Sequence, residues 1–437
     1  MNNLYRSWGG YPITEQEAWP ILQRQDNILF EKISPTGLPY GMGRSYGDVC
    51  LNHGGNLILT RTLNHFISFD AGKGLLRCES GVNLDEILEL IVPRGWFLPV
   101  TPGTKYVTIG GAIANDVHGK NHHIAGSFGC FVTQFELLRS DGNRLLCSIS
   151  ENEDFFKATI GGMGLTGLIT WAEIKLIPII NNRIAQKTVK FKKLDDFFEL
   201  SDCLAPNYNY TVAWIDCLAS GKSLGRGLFM AGNHAPVKDG INLTYPQNQK
   251  SFSVPFDFPD FALNNFTIKM FNNLFYHKQR HRGKDSLSSF DAFFYPLDGI
   301  NDWNRVYGKL GLVQYQCLVP KDDTDVIRNI LKTISDSGEG SFLAVLKVMG
   351  DIPSIGMMSF PRPGITLALD FPVKESVFRL FKQLDDIVRK AAGRLYPAKD
   401  ACMTGTDFRL YYPAWEKFAK FIDPRFSSSF WRRVSDK

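Results

Sequence analysis

The sequence contains no run of about 18 consecutive apolar residues, the length that a membrane-spanning helix needs. Its first residues, Met1 to Arg6, also lack the apolar segment of a secretory signal peptide. These absences predict a cytoplasmic protein without a membrane span. Peripheral contact with the inner face of a membrane stays open, because binding to a surface needs neither feature.

The eight cysteines form no C-x-x-C pair, and no histidines accompany them at the spacing of zinc ligands. Two adjacent histidines rarely bind the same metal ion, so we interpret His122 and His123 as structural. The sequence therefore predicts no metal site. We expect the cysteines to be buried free thiols in a reducing compartment.

Neither sign of charge dominates, since 49 lysines and arginines stand against 44 aspartates and glutamates. The net charge of +5 is too small to indicate a nucleic-acid partner. Basic residues cluster only over residues 278–284 and in the C-terminal tail near Trp431. We expect no nucleic acid among the ligands.

Two glycine-rich stretches are the most informative feature that is present: Gly41–Asp48 and Pro102–Gly119. Glycine lets backbone N–H groups approach an anion closely, because no Cβ stands in the way. Two such loops favour a long ligand with two anionic groups, such as a dinucleotide pyrophosphate, although each loop alone could be a tight turn. Neither stretch has the spacing of a Rossmann fingerprint or a P-loop, which disfavours NAD and ATP on those folds.

These two stretches resemble the pyrophosphate loops of the vanillyl-alcohol-oxidase family of flavoproteins, which bind FAD through a PCMH-type domain. Further blocks resemble one branch of that family, the flavin subunits of two-protein sugar 2-epimerases. These blocks span nearly the whole chain and comprise His118–His123, Ala125–Gly129, Gln314–Gln316, Asp370–Pro372 and Gly393–Asp400.

The resemblance implies an FAD-dependent oxidoreductase acting on CH–OH groups. It would oxidise the 2-hydroxyl of a polyprenyl-phosphate-linked ribose to the 2-keto sugar, the first half of epimerisation to arabinose. A partner NAD(P)H-dependent keto-reductase would complete the conversion, and a quinone-like acceptor would re-oxidise the flavin. The alternatives are an FAD-dependent oxidase of a soluble sugar or alditol that uses oxygen, and a non-enzymatic flavin- or nucleotide-binding subunit.

The alternation of strand and helix patterns predicts an α+β protein of two domains. An FAD-binding domain would cover residues 1–180 and be completed by the C-terminal segment 394–437. A substrate-binding domain, with an antiparallel sheet backed by helices, would cover 181–393 and include a flexible stretch at about 230–300. The pattern also predicts a short helix near Glu15–Gln25 and a helix over Asn83–Ile91 that Asn83 caps.

The resemblance also assigns residues that contact the cofactor. Many relatives carry a histidine, bonded covalently to the flavin, where Tyr46 stands; a tyrosine there implies non-covalent FAD. The cofactor residues are Gly41, Met42, Gly43, Arg44, Ser45, Tyr46, Gly47, Asp48, Gly103, Thr108, Ile109, Gly110, Gly111, Asn115, Asp116, Val117, His118, Ile169 and Tyr396.

Lys399, His118 and Tyr46 are the predicted catalytic residues. Lys399 matches a pocket lysine of the family; a desolvated lysine can act as a base, or as a cation it can stabilise a developing alkoxide. From the residues alone, a surface salt bridge with Asp400 is the commoner fate. His118 could be a base or a hydrogen-bond donor, or a satisfied buried histidine. Which of Lys399 and His118 is the base stays open here.

Residues on the sugar and phosphate side are also implied. Gln314 and Gln316 alternate along a strand and therefore share one face. Three positions depart from the family pattern, which has tyrosine at Phe294, asparagine at Thr366 and cysteine at Ala368. The predicted substrate residues are Lys120, Gln314, Gln316, Lys347, Phe294, Thr366 and Ala368.

A polyprenyl tail needs an apolar groove. The phenylalanine-rich stretch Phe252–Phe275 could supply one, with the basic run 278–284 facing anionic headgroups. A core segment beside a solvated run of charges explains the same pattern equally well.

Overall fold

The computed structural model describes residues 5–26, 35–245 and 252–435. Its strands are β1 (Glu17–Pro20), β2 (Gly37–Tyr40), β3 (Asn56–Leu59), β4 (Phe66–Asp70), β5 (Leu75–Glu79), β6 (Trp96–Phe97), β7 (Val132–Leu138), β8 (Arg144–Ser148), β9 (Leu168–Lys175), β10 (Ile177–Pro178), β11 (Arg183–Phe191), β12 (Tyr210–Ile215), β13 (Gly227–His234), β14 (Phe252–Ser253), β15 (Gly283–Ser289), β16 (Ile300–Asn301), β17 (Leu312–Val319), β18 (Ala344–Met349), β19 (Gly364–Pro372) and β20 (Arg394–Leu395).

The α-helices of the same residues are α1 (Leu84–Ile91), α2 (Ile109–Ala114), α3 (His122–Ala125), α4 (Glu153–Thr159), α5 (Leu194–Leu204), α6 (Asn265–Lys278), α7 (Phe290–Phe294), α8 (Thr324–Ser337), α9 (Glu375–Lys390), α10 (Gly405–Tyr411), α11 (Trp415–Ala419) and α12 (Ser429–Ser435). None of these helices is long and apolar enough to cross a bilayer.

The N-terminal part holds a small parallel sheet, β1-β3-β2, and a five-stranded antiparallel sheet, β4-β5-β9-β7-β8. Helix α1 begins where the sequence predicts. The Asn83 side chain accepts a hydrogen bond from the Glu86 N–H, and the Glu86 carboxylate accepts one from the Asn83 N–H. This reciprocal capping box satisfies two backbone donors that the first turn leaves free.

The second half is built on an eight-stranded sheet, β15-β11-β13-β12-β18-β19-β17-β20, with every pairing antiparallel. Strand β17 shows how the sheet divides core from cavity. Tyr315 and Cys317 are buried in the core cluster that also holds α8 and α9, whereas Gln314 and Gln316 line a cavity on the opposite face. An antiparallel sheet backed by helices, in an α+β protein, is confirmed.

The C-terminal segment contacts both halves of the molecule. Strand β20 pairs with β17 in the eight-stranded sheet, and the Ser429 N–H at the start of α12 donates to the Leu51 carbonyl beside the first glycine-rich loop. The predicted completion of the FAD-binding domain by residues 394–437 stays a prediction, as do the domain boundaries; residues 436–437 lie outside the described residues.

The structure corrects one sequence-based expectation, the short helix near Glu15–Gln25, and shows regular elements in the stretch 230–300, whose flexibility stays a prediction. Residues 17–20 form strand β1 rather than part of a helix, because β1 pairs with β3, a partner distant in the chain. The stretch 230–300 contains α6 and β15, and β15 pairs with β11 over seven positions. The sequence pattern did not predict α6, because a polar residue, Asn272, lies on its buried face and interrupts the apolar periodicity. Residues 246–251 of that stretch lie outside the described residues.

All eight cysteines are free thiols, as expected from their spacing. Their burial was only partly predicted, since Cys203 is exposed and Cys50, Cys130 and Cys402 are half-buried.

Candidate active site

A cavity of about 760 Å³ lies between the two glycine-rich stretches and the inner face of the eight-stranded sheet. This volume is within the range of sites that bind cofactors and small molecules. Backbone segments around Gly43 and Gly110 form one side, and side chains of β17, β18 and β19 form the other. The cavity therefore joins the predicted cofactor loops to the predicted substrate residues.

The two glycine-rich stretches touch each other directly. A Cβ on Gly41 would lie 2.5 Å from the Thr108 Oγ1, and that hydroxyl caps α2 by accepting from the Gly111 N–H at 3.1 Å. Gly43 has a φ of +60°, which few side chains tolerate. The space next to Gly103 is open, because no atom lies within 4 Å of a Cβ placed there. These glycines keep the loops close together and leave their backbones accessible to a ligand.

Three buried polar atoms on the cavity wall have no hydrogen-bond partner among the residues that the structure describes. They are the Arg44 Nε, the Ser80 Oγ and the Asn115 Oδ1. Buried polar groups normally find a partner, so these atoms indicate a ligand that offers both acceptors and donors. FAD, with its pyrophosphate, ribityl hydroxyls and ring amides, fits that requirement.

Most of the predicted cofactor residues line this cavity. They are Gly41, Met42, Gly43, Arg44, Ser45, Tyr46, Gly103, Thr108, Gly110, Gly111, Asn115, Val117, His118, Ile169 and Tyr396.

Gly47, Asp48, Ile109 and Asp116 do not line the cavity, which corrects their predicted placement. Asp48 forms an ion pair with Arg433 at 2.7 Å, and Gly47 packs against the backbone of the segment after Lys399. Ile109 is fully buried in the core of the N-terminal part, and Asp116 accepts a hydrogen bond from the Gly129 N–H at 2.8 Å. These four residues of the glycine-rich stretches lie on the side that faces away from the cavity.

Lys399 points into the cavity and not toward the surface. Its Nζ lies 3.7 Å from the centroid of the Tyr46 ring, while Asp400 forms an ion pair with Arg433 at 3.0 Å. Lys399 thus lies where the resemblance implies, and the alternative of a surface salt bridge with Asp400 is wrong. Burial lowers the pKa of Lys399, and the nearby charge of Asp370 opposes that shift. Burial also raises the pKa of Tyr46, which keeps its phenol protonated.

His118 is buried and both of its ring nitrogens are engaged. The Gln316 Nε2 lies 3.0 Å from the His118 Nε2, and the Lys347 Nζ lies 3.1 Å from the His118 Nδ1. Burial, together with the charge of Lys347, lowers the pKa of His118 well below its usual value.

Lys120 and Lys347 complete a group of three buried lysines. Burial lowers the pKa of Lys120 to about 8; burial and the charges of Lys120 and Lys399 lower that of Lys347 to about 7. Lys120 donates to the Phe294 carbonyl at 3.0 Å, and Lys347 donates to the Gly119 carbonyl at 3.3 Å. Among the described residues, none of the three lysines has a carboxylate within ion-pair distance. Buried cations are normally paired, so this wall indicates an anionic ligand.

The other predicted substrate residues also line the cavity. Gln316 donates to the Thr366 Oγ1 at 3.3 Å, and Ala368 lies opposite Gln316 on the neighbouring strand. Together with Lys120 and Lys347, the substrate residues brought to this wall are Gln314, Gln316, Phe294, Thr366 and Ala368.

Asp370 is a polar residue of this region that the sequence analysis did not select. It is buried, it accepts a hydrogen bond from the Gln314 amide, and its second oxygen has no hydrogen-bond partner within the described ranges. Burial raises the pKa of Asp370. Because Thr366, Ala368 and Asp370 alternate along β19, the two-residue period of a strand was the signal that could have found it.

One end of the cavity is apolar, and most of its residues were not predicted. Trp214 and Phe275 pack with ring centroids 4.7 Å apart, and Phe271, Met230, Trp303 and Phe342 line the same region. Only Phe271 and Phe275 come from the phenylalanine-rich stretch Phe252–Phe275, for which a groove and a core segment were equally good interpretations. Four other phenylalanines of that stretch, Phe252, Phe256, Phe261 and Phe266, are exposed.

Comparison with known proteins adds an independent line of evidence. Residues 36–148 match the profile of the FAD binding domain family. The chain is 37% identical to decaprenylphosphoryl-beta-D-ribose oxidase of Mycolicibacterium smegmatis over 90% of this chain and 88% of that protein. It is 31% identical to an uncharacterized protein of Streptomyces coelicolor over 81% of this chain and 100% of that one. A human Delta(24)-sterol reductase matches over only 30% of this chain, at 33% identity.

Proposed function

This chain belongs to the family of FAD-dependent oxidoreductases that includes decaprenylphosphoryl-beta-D-ribose oxidase, and from that membership we propose that it oxidises a polyprenyl-phosphate-linked ribose. The 2-hydroxyl would become a 2-keto group, the first half of epimerisation to arabinose. The observation that carries the proposal is a group of buried lysines, Lys120, Lys347 and Lys399, that have no carboxylate at ion-pair distance in the described part of the chain. They line a cavity that also has an apolar end. A substrate with an anionic centre and an apolar tail complements both features.

The glycine-rich stretches would hold FAD without a covalent bond. When bound, FAD accepts the hydride that leaves the sugar carbon. Loop residues Gly41–Ser45, with Gly110, Gly111 and Asn115, would contact it. Tyr46 stands where a histidine could form a covalent link, and its phenol lies beneath Lys399. The Cys50 thiol on the cavity wall has a pKa raised to about 12 by burial, so it is no nucleophile at neutral pH.

Lys399 would take the proton from the 2-hydroxyl. Burial lowers its pKa to about 8, so a part of the amine is neutral near neutral pH, as a base requires. His118 suits a positioning role better, because Gln316 and Lys347 already occupy its two nitrogens. Tyr46 would orient the Lys399 amine by packing its ring against it.

Lys120 and Lys347 would bind the phosphate, and Gln314 and Gln316 would bind sugar hydroxyls. A protonated lysine attracts phosphate as a point charge. Phe294, Thr366 and Ala368 would shape the space around the sugar, because each lines the cavity next to these polar groups.

The proposed reaction needs a partner enzyme, because epimerisation is complete only after the 2-keto group has been reduced. An NAD(P)H-dependent keto-reductase would reduce it, and a quinone-like acceptor would take the electrons from the flavin. A substrate anchored in lipid would also bring this protein to the inner face of a membrane as a peripheral protein in the cytoplasm. Oxidation of a soluble sugar or alditol is not favoured, since such a substrate leaves the lysines without a counter-charge.

Anaerobic titration of the bound flavin tests the proposal. Polyprenyl-phosphoryl ribose should bleach the flavin absorbance near its visible maximum, and free ribose or an alditol should not. Bleaching by free sugars with peroxide release in air would instead identify the soluble-sugar oxidase, and a protein that takes up no FAD would end the flavoenzyme assignment.

A further inference from the structure

Helix α6 exposes a row of large apolar side chains, although one polar side chain, Asn272, lies on its buried face. Phe266, Met270 and Leu274 lie one turn apart on one face, and they are 74%, 51% and 63% exposed. We call these three residues the outer face of α6. Ile268, Asn272 and Tyr276 form the opposite face and are buried. Soluble proteins rarely expose a continuous row of large apolar side chains, so the outer face indicates an apolar partner that is not part of this chain's core.

The inner face of α6 holds the helix in this orientation through polar contacts. The Asn272 Nδ2 donates to the Asp216 Oδ1 at 3.0 Å and to the Ser341 carbonyl at 3.2 Å. The Tyr276 hydroxyl donates to the Phe191 carbonyl at 3.1 Å. Turning the helix to bury its apolar face would leave these groups unsatisfied in the interior, which is costly. The exposure of the outer face is therefore built into the fold.

The charge around α6 identifies the kind of partner. Residues 261–284 contain five lysines and arginines, two histidines and no aspartate or glutamate. Acidic residues stand only at the ends of this stretch, at Asp260 and Asp285. The five basic side chains are all exposed: Lys269, Lys278, Arg280, Arg282 and Lys284. An exposed apolar helix face with basic residues around it is the pattern of helices that lie in the surface of an anionic bilayer.

We propose that the outer face of α6 docks the protein on an anionic lipid bilayer and sets the apolar end of the cavity against that bilayer. Phe271 and Phe275 on the same helix line the cavity, so a membrane on the outer face would lie next to the cavity's apolar end. The tail of a lipid-linked sugar could then stay near the bilayer while its sugar reaches Lys399. This inference rests on the proposed function for its purpose, and it can be tested without substrate.

Co-flotation of the purified, FAD-loaded full-length protein with vesicles is the test. Wild type should bind vesicles of phosphatidylcholine and phosphatidylglycerol, bind pure phosphatidylcholine weakly, and be released by salt. The F266S/L274S variant should partition about tenfold less onto the anionic vesicles. The matched control I149S/L410S changes two apolar side chains that are 59% and 55% exposed elsewhere, and it should bind as wild type does.

The basic residues are tested in the same assay. The variant K278Q/R280Q/R282Q should lose roughly tenfold to hundredfold in binding to anionic vesicles. Its control, K382Q/K390Q/K420Q, removes three exposed lysines outside this region and should bind normally. Retention of the flavin spectrum shows that each variant is folded, and the salt dependence of wild type serves as a measurement that needs no variant.

Three results would overturn the inference. The first is a wild-type protein that does not bind anionic vesicles. The second is an F266S/L274S variant that binds these vesicles as strongly as the wild-type protein does. A dimer seen by light scattering, abolished by F266S/L274S in a protein that binds no vesicles, would assign the outer face to a second copy of the chain. Flavin bleaching by detergent-dispersed polyprenyl-phosphoryl ribose separates the two proposals, because it tests the reaction in the absence of a bilayer.

Discussion

At the scale of single residues, the chemistry depends on burial of charge. Lys120, Lys347 and Lys399 are enclosed in one cavity wall without carboxylate partners at ion-pair distance among the described residues, and burial lowers the pKa of each. Desolvation disfavours the ammonium form, so these lysines lose a proton at a lower pH than exposed lysines do. In the protonated form they attract an anion, and in the neutral form they can act as a base. Those two properties are what oxidation of a phosphate-linked alcohol requires of the protein.

Replacing Lys399 with methionine removes the proposed base and keeps the volume of the side chain. We expect substrate-dependent flavin reduction to slow by about 10²- to 10⁴-fold, the usual contribution of a positioned base. FAD should remain bound, because the two glycine-rich stretches are unchanged. Stopped-flow absorbance measures the rate, and Lys382→Met, an exposed lysine of α9, is the control. A Lys399→Met enzyme that reduces at the wild-type rate would reassign the base to another group, with His118 next in line.

The pH dependence follows from the directions of the pKa shifts. Lys399 must be neutral to act as a base, so the rate of flavin reduction should rise with pH through the lowered pKa of Lys399. Lys120 must be protonated to bind phosphate, so KM should rise as pH increases through about 8. Because burial lowers the pKa of both lysines to about 8, steady-state kinetics should give kcat/KM a narrow maximum near pH 8, while the rate of flavin reduction at saturating substrate keeps rising above it.

The Lys120→Gln variant separates binding from chemistry. Loss of a charged hydrogen bond should raise KM roughly tenfold to hundredfold and leave kcat little changed. It should also remove the alkaline rise in KM, which a merely structural lysine would not control. An unchanged KM would contradict the assignment of Lys120 to the phosphate.

At the scale of secondary-structure elements, α12 connects the first glycine-rich stretch with the segment that carries Lys399. Arg433 of α12 pairs with Asp48 at 2.7 Å and with Asp400 at 3.0 Å, and Asp400 follows Lys399 in the chain. Burial raises the pKa of Asp400, which shows that this carboxylate depends on its cationic partner to stay charged. Through this one arginine, the C-terminal helix holds both the proposed cofactor loop and the proposed base.

Arg433→Gln should leave Asp48 and Asp400 facing each other without a counter-ion. We expect a loss of about 3 kcal/mol in the free energy of unfolding, since breaking a largely buried pair leaves an uncompensated charge. The purified variant should also contain less FAD. Thermal denaturation and the flavin absorbance ratio measure the two effects. Arg379→Gln, which removes an exposed pair with Glu375, should change stability by less than about 1 kcal/mol; an equal effect of both variants would contradict the proposed role of α12.

At the scale of the whole molecule, one cavity is walled by both the N-terminal part and the eight-stranded sheet. A ligand there contacts both parts, so it should stabilise the protein as a unit. At a free FAD concentration of about 100 times its dissociation constant, binding contributes about 2.7 kcal/mol. The melting temperature of the apoprotein should therefore rise with added FAD and not with added AMP at the same concentration. Flavin that stays attached to the chain after acid precipitation would contradict non-covalent binding.

Local features allowed much of the fold to be predicted from the sequence. The helix that Asn83 caps and the two-residue alternation of Gln314 and Gln316 each depend on a few neighbouring residues. Predictions failed where a distant partner decided the outcome. Strand β1 pairs with β3, which is distant in the chain. In α6 a polar residue, Asn272, lies on the buried face and interrupts the apolar pattern by which a helix is predicted.

The sequence by itself determined the pair of glycine-rich stretches, the family membership and which residue types could line a site, because these depend on local backbone preferences and on the order of residues. Only the tertiary structure decided how these residues are used. In the folded protein Lys399 packs against Tyr46, and Asp400 pairs with Arg433. Asp48 also pairs with Arg433 and does not line the cavity, whereas Asp370 lies next to Gln314. Proton affinity and pairing depend on burial and on groups far apart in the chain, and folding alone brings those groups together.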